Sequence, residues 1–191
     1  RMKGKNCRDY SPIMHPHRKK NGEVFSNTIR KDKILNILRS KIGNEVMLLQ
    51  SEFFFMPPGT QGFAPHQDDF YVRSEDKNAF ISLWFPLVDV DKSNGCLIIW
   101  EKTHNLGILD VNVRDNLNAK NVDKNGSRLE AQVPNGFDKK NVPMKLGSGL
   151  LIHSRVVHSS NDNTSNSPRY SILYTFIRKG IKFNPGKYSK R

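Results

Sequence analysis

The sequence predicts a mainly β domain, a sandwich or barrel padded by helix, and three features carry that prediction. Short β-rich runs recur along the chain, and Pro, Gly and Asn clusters such as Pro57-Pro58-Gly59 and Asn94-Gly95 separate them. Only one stretch shows sustained helical spacing of apolar residues. Strand and helix therefore do not alternate as a parallel βαβ sheet requires.

Residues 1 to 27 mix Lys, Pro, Asn and Gly without period and read as irregular. The helix follows, with Asp32 as a candidate cap, Ile34, Leu35, Ile37, Leu38 and Ile42 along one face, and Gly43 where a left-handed terminal residue is wanted. Val46 to Met56 is a strand that stops at Pro57-Pro58-Gly59, because proline has no N–H for a ladder. Ala79 to Val90 and Cys96 to Trp100 are the next strands, and the Asn94-Gly95 pair between them suggests a hairpin. Residues 110 to 145 are polar and read as a long surface excursion or lid. Gly149 to His153, with a continuation toward His158, and Arg169 to Ile177 close the fold.

At 191 residues the chain is the size of one domain, long enough to bury a core without disulfides. Its 36% hydrophobic and 26% charged residues are a soluble composition. No apolar run approaches a membrane span and no signal-peptide pattern appears, so the expected address is the cytoplasm. Cys7 and Cys96 form no CxxC pair, which argues against a disulfide framework or a zinc ribbon. The net charge of +13 invites a nucleic-acid reading, but it sits at the ends: +9 over residues 1–41, −2 over 42–177 and +6 over 178–191. Aromatic residues do not interleave with those basic ends and no recognition motif is present, so nucleic acid is not the expected partner. The basic flanks act as solvated segments or attract an anionic small molecule.

His66-Gln67-Asp68 places an imidazole and a carboxylate on one side of an extended segment, where one metal could bind both. Alone, that pair is commonly just a hydrogen bond. His15 and His17 lie in the irregular basic segment and read as solvent-exposed, and His104 reads as a buried structural histidine. His153 and His158 remain as third ligands, and they face opposite sides if one strand carries both. Two histidines and one carboxylate leave three octahedral positions open, which suits ferrous iron that must take a chelating co-substrate and dioxygen. Structural zinc prefers four closed ligands, usually with thiolate.

In order, the stretches H66-Q-D-D-F-Y71, L83-W-F-P-L-V-D-V90, N94-G-C-L-I-I99, T103-H104 and G149-L-L-I-H-S-R-V-V-H-S-S160, with Arg169 beyond, resemble the phytanoyl-CoA dioxygenase family over about residues 32 to 178. The resemblance implies a double-stranded β-helix of jelly-roll type with flanking helices. It implies His66, Asp68 and His158 as iron ligands, since Arg169 then falls at the family's interval of eleven residues. It implies Arg169 and Ser160 as partners of a 2-oxoglutarate carboxylate, with Trp84 packed near that co-substrate or in the core. A planar guanidinium suits a carboxylate, and Arg169 is expected on a strand antiparallel to that of His158. Gln50 matches a substrate-facing position, and Phe70 and Tyr71 would wall the pocket.

The resemblance further implies an Fe(II)- and 2-oxoglutarate-dependent dioxygenase that hydroxylates a small molecule and releases succinate and CO2. Asp68 favours hydroxylation, because halogenating relatives lack that carboxylate. Two alternatives are a metal-binding protein of the same shape that uses no 2-oxoglutarate and a basic nucleic-acid-binding module. Family members usually carry a further N-terminal segment, so a fragment or short member is expected, and Glu101-Lys102 stands where relatives commonly have Pro-Gly.

Overall fold

The computed structural model describes residues 12–113 and 129–184. Ten strands and three α-helices are described: β1 (Ile13–Met14), α1 (Glu23–Ile29), α2 (Asp32–Ile42), β2 (Val46–Met56), α3 (Asp69–Val72), β3 (Phe80–Pro86), β4 (Leu97–Trp100), β5 (Val111–Val113), β6 (Leu129–Ala131), β7 (Lys139–Val142), β8 (Leu150–His153), β9 (His158–Ser160) and β10 (Arg169–Arg178). Every ladder among the described residues is antiparallel. One sheet runs β1-β2-β10-β3-β8, a second runs β7-β4-β9, and β5 pairs with β6. This is the expected jelly-roll class.

The central strands of the large sheet are covered on both faces. Tyr174, Phe176 and Ile172 of β10 and Ile81 and Leu83 of β3 point outward against Ile29, Leu38 and Ile42 of the helical layer. Trp84, Ile152 and, in part, Leu173 point inward against Val90, Cys96, Leu97 and Val156. Alternation along each strand thus feeds two apolar clusters with the sheet between them. Burying a large aliphatic or aromatic side chain contributes about 1.5–3 kcal/mol, so the two clusters account for much of the drive to fold.

Several sequence expectations change. Residues 13–29 are not irregular: they form β1, a short 3-10 turn and α1. Lys31 takes the cap position of α2 and Asp32 lies inside the first turn, where its charge meets the positive end of the helix. Asn94-Gly95 does not close a hairpin, because β3 and β4 belong to different sheets. Instead the Asp91 carboxylate accepts the Ser93 N–H at 2.7 Å, Asn94 bonds back to Asp89, and Gly95 takes φ 95°, turning the chain across to the second sheet. The run from Gly149 toward His158 likewise breaks at Ser154–Val157, so that β8 and β9 lie in opposite sheets. Within the expected excursion of residues 110–145, β7 is part of the fold, since it pairs with β4; residues 114–128 lie outside the described residues.

Candidate active site

His66 and His158 meet across an isolated antiparallel bridge, each backbone N–H donating to the other's carbonyl at 2.9 Å. Residues directly opposite in such a pair project to the same side, and the two imidazole centroids are 4.3 Å apart. Asp68 projects beside them: its Oδ1 lies 3.8 Å from His66 Nε2 and 3.6 Å from His158 Nε2. Two bonds of about 2.1 Å can span up to about 4.2 Å, so one ion can bridge either pair. Among the described residues this is the group of three His, Cys, Asp or Glu side chains whose ligand atoms come together, all within 4.8 Å.

Each of the three candidate ligands is oriented by a bond behind it. His66 Nδ1–H donates to the Ala64 carbonyl at 2.7 Å and His158 Nδ1–H to the Val156 carbonyl at 3.2 Å; a carbonyl can only accept, so both Nε2 lone pairs are left for the centre. Ser82 Oγ–H donates to Asp68 Oδ2 at 2.6 Å, which turns Oδ1 toward the imidazoles. Burial, and then the neighbouring His158, lower the His66 pKa to about 4, with Asp68 pulling the other way, so the ring is neutral at pH 7, the form that can bind a metal.

Residues that the sequence reading did not single out hold this segment. Gln67 and Asp69 point away from the centre and are buried. The Gln67 amide donates to Arg155 and Gly107 carbonyls at 2.6 and 2.8 Å and accepts the Leu109 N–H at 2.7 Å. Asp69 accepts the Ser74 N–H and pairs with Arg155 Nε at 2.8 Å. The signal was present in His66-Gln67-Asp68-Asp69: two polar residues alternating with two candidate ligands must be satisfied on the opposite side.

Arg169 is only 2% exposed. Nη1 donates to Ser171 Oγ at 2.7 Å and Nη2 to the Gly95 carbonyl at 2.9 Å, while its guanidinium lies 5.6 Å over the Trp84 ring. Nε has no hydrogen-bond partner and no carboxylate pairs with the guanidinium among the described residues. Burial lowers its pKa to about 10, so it remains a cation at neutral pH. A buried cation with an orphaned N–H is costly unless an anion completes it, which fits a carboxylate ligand. Gly95 is required beside it: a Cβ there would lie 3.1 Å from the Asn161 carbonyl oxygen in a left-handed backbone.

Arg169 does not lie on a strand paired with that of His158. β10 is central in the large sheet and β9 edges the small one, so the two face each other across the interior rather than along a ladder. Ser160 is buried, and its Oγ accepts the Phe63 N–H at 2.9 Å, leaving its proton to donate. Trp84 belongs both to the inner core and to the Arg169 platform. Gln50 is half-buried on the inner face and donates to Glu52 Oε1 at 2.6 Å. Phe70 lies under Arg73, and the Tyr71 ring is 6.3 Å from that of His66 at the rim. His153 points to the outer face and packs 5.0 Å from His104, which is half-buried, not buried. His17 is not solvated either: its Nδ1 lies 2.5 Å from the buried Ser51 hydroxyl.

A jelly roll with a His-Asp-His centre and a buried arginine in its interior defines a class, and comparison with known proteins gives the family. The description "Phytanoyl-CoA dioxygenase (PhyH)" matches residues 3–171, and the chain belongs to that family. It is 31% identical over 157 residues to Phytanoyl-CoA dioxygenase domain-containing protein 1 of Danio rerio, covering 80% of this chain and 52% of that protein. It is 24% identical over 151 residues to a methylphosphonate hydroxylase of Gimesia maris, covering 78% and 52%. The chain therefore spans about half the length of the curated relatives it matches. Among solved structures, the epimerase SnoN in complex with Fe3+, alpha ketoglutarate and nogalamycin RO superposes with a TM-score of 0.73 at 18% identity, over 91% of this chain and 65% of that one. The non-heme monooxygenase ThoJ gives 0.68 at 19% identity, over 82% and 56%.

Proposed function

We propose that this chain is a non-haem Fe(II)- and 2-oxoglutarate-dependent dioxygenase that hydroxylates a small molecule with release of succinate and CO2. The observation that carries the reading is the convergence of His66, Asp68 and His158 in the same interior as a buried Arg169 whose Nε is unsatisfied. Iron would be held by the two Nε2 atoms and Asp68 Oδ1, an arrangement that leaves adjacent positions open. Bound together, iron and 2-oxoglutarate supply the oxidation of a substrate carbon by dioxygen.

The chain's own residues do the rest. Arg169 and the Ser160 hydroxyl hold the remote carboxylate of the keto acid, and Trp84 with Leu173 keeps water from that corner. Ser82 and the carbonyls of Ala64 and Val156 fix the ligands before metal arrives. Phe70, Tyr71 and Gln50 border the substrate side. β6 borders the site: the Ala131 N–H donates to the Pro65 carbonyl at 2.8 Å, next to His66. The domain acts as one catalytic unit, and we place it in the cytoplasm; no helix among the described residues is long and apolar enough to cross a membrane.

The test is optical. Anaerobic addition of Fe(II) and then 2-oxoglutarate gives a visible charge-transfer band, and His158→Ala abolishes it. A folded chain without that band refutes the assignment.

A further inference from the structure

β3 reads Phe-Ile-Ser-Leu-Trp-Phe-Pro from Phe80 to Pro86, and Ser82 is the single small polar residue among aliphatic and aromatic ones. The strand is hydrogen-bonded on both sides, with Ser82 opposite Thr175 of β10 and Ile152 of β8. Ser82 is fully buried, so bulk water cannot satisfy its hydroxyl. A polar group in that place needs a partner within the protein, and the partner is Asp68 Oδ2 at 2.6 Å.

The Asp68 carboxylate has another natural use that it does not take. Asp68 occupies the cap position of α3, where an aspartate ordinarily accepts a backbone N–H of the first turn, yet its side chain makes no such bond. Instead Ser82 holds Oδ2 from a strand fixed at both edges, while Oδ1 faces His66 Nε2 at 3.8 Å and His158 Nε2 at 3.6 Å. The two oxygens of one carboxylate therefore have different partners.

We propose that Ser82 is a positioning residue: its hydroxyl keeps Asp68 a one-oxygen ligand and so keeps three octahedral positions of the metal open. The inference rests on the dioxygenase reading. A carboxylate can bind a divalent cation through one oxygen or two, and the balance between those modes is close, because turning Oδ2 onto the ion merely exchanges it for a bound water. Leaving Ser82 breaks a hydrogen bond to an ionised acceptor and strands a buried hydroxyl, so the hydroxyl decides the mode. A chelating keto acid fills two of the open positions. Dioxygen needs the last one, which a second carboxylate oxygen would close.

The experiment loads the chain with Mn(II) and counts the exchanging waters on each bound ion by field-dependent water-proton relaxation. The unsubstituted chain should hold about three, falling to about one when 2-oxoglutarate is added. S82A should hold about two, falling to none. S82T and S82V share one branched shape and differ by the hydroxyl, so S82T should keep the count of the unsubstituted chain and S82V should match S82A. A serine that only supports the fold would change how much protein folds and leave the count per bound ion the same. Only about two waters in the unsubstituted chain, or equal counts in S82T and S82V, overturn the proposal even if S82A fails to fold. An unchanged count in folded S82A overturns it as well. Equilibrium dialysis of Mn(II) separates the two claims. A folded chain that does not retain the ion sinks the dioxygenase reading, whereas retention with a count indifferent to the hydroxyl sinks only the role of Ser82.

Discussion

Arg169 is the residue whose chemistry is least replaceable. Two of its nitrogens are spoken for by Ser171 and Gly95, and both bonds depend on the planar fork. A lysine in its place keeps the charge and loses the fork, so Arg169→Lys should weaken 2-oxoglutarate at least tenfold with metal affinity unchanged, measured by equilibrium dialysis with Mn(II). Equal loss of metal and keto acid would show instead that Arg169 supports the fold. The interval from His158 to Arg169 was legible in the sequence, but the partners of both residues were not: Ser171, Gly95 and Val156 are recognised only once their strands are in place.

At the scale of elements, the segment 66–69 is held by side chains that point away from the His66, Asp68 and His158 cluster. Gln67 satisfies two carbonyls and one N–H from two separate connections, at Gly107, Leu109 and Arg155. Gln67→Leu preserves volume but strands those three groups, so it should lower unfolding free energy by about 3 kcal/mol in urea titration. A change within about 0.5 kcal/mol, the usual range for an unimportant surface site, would mean that water replaces the amide. Elements also show where local reading succeeds. β2 and α2 were readable because their apolar period and terminators lie within the segment itself. The supposed hairpin at Asn94-Gly95 and the continuous strand to His158 failed because turn chemistry specifies that a chain bends, not which sheet receives it.

For the whole molecule, histidines that fold neutral make stability depend on pH. Burial, first of all, lowers His17 and His66 to about 4 from an ordinary 6.5. In that interval the unfolded chain binds more protons than the folded one, so stability is full above about 6.5 and falls as pH drops toward 4. The melting temperature of the metal-free chain should decline over that window, and His17→Gln should make the decline shallower. A melting temperature that stays flat from pH 7 to 4.5 would show both rings charged in the fold. By itself the sequence determined the mainly β class, and it singled out the pair His66 and Asp68 and, through a family resemblance, His158 and Arg169, because each lies in a compact motif or at a set interval. Only tertiary structure decided that β8 and β9 part into opposite sheets, which turns His153 outward and His158 inward, and that Gln50 and Glu52 share a floor with Trp84. Those outcomes depend on contacts between residues far apart in the chain, and local spacing cannot encode which distant strand a segment will meet.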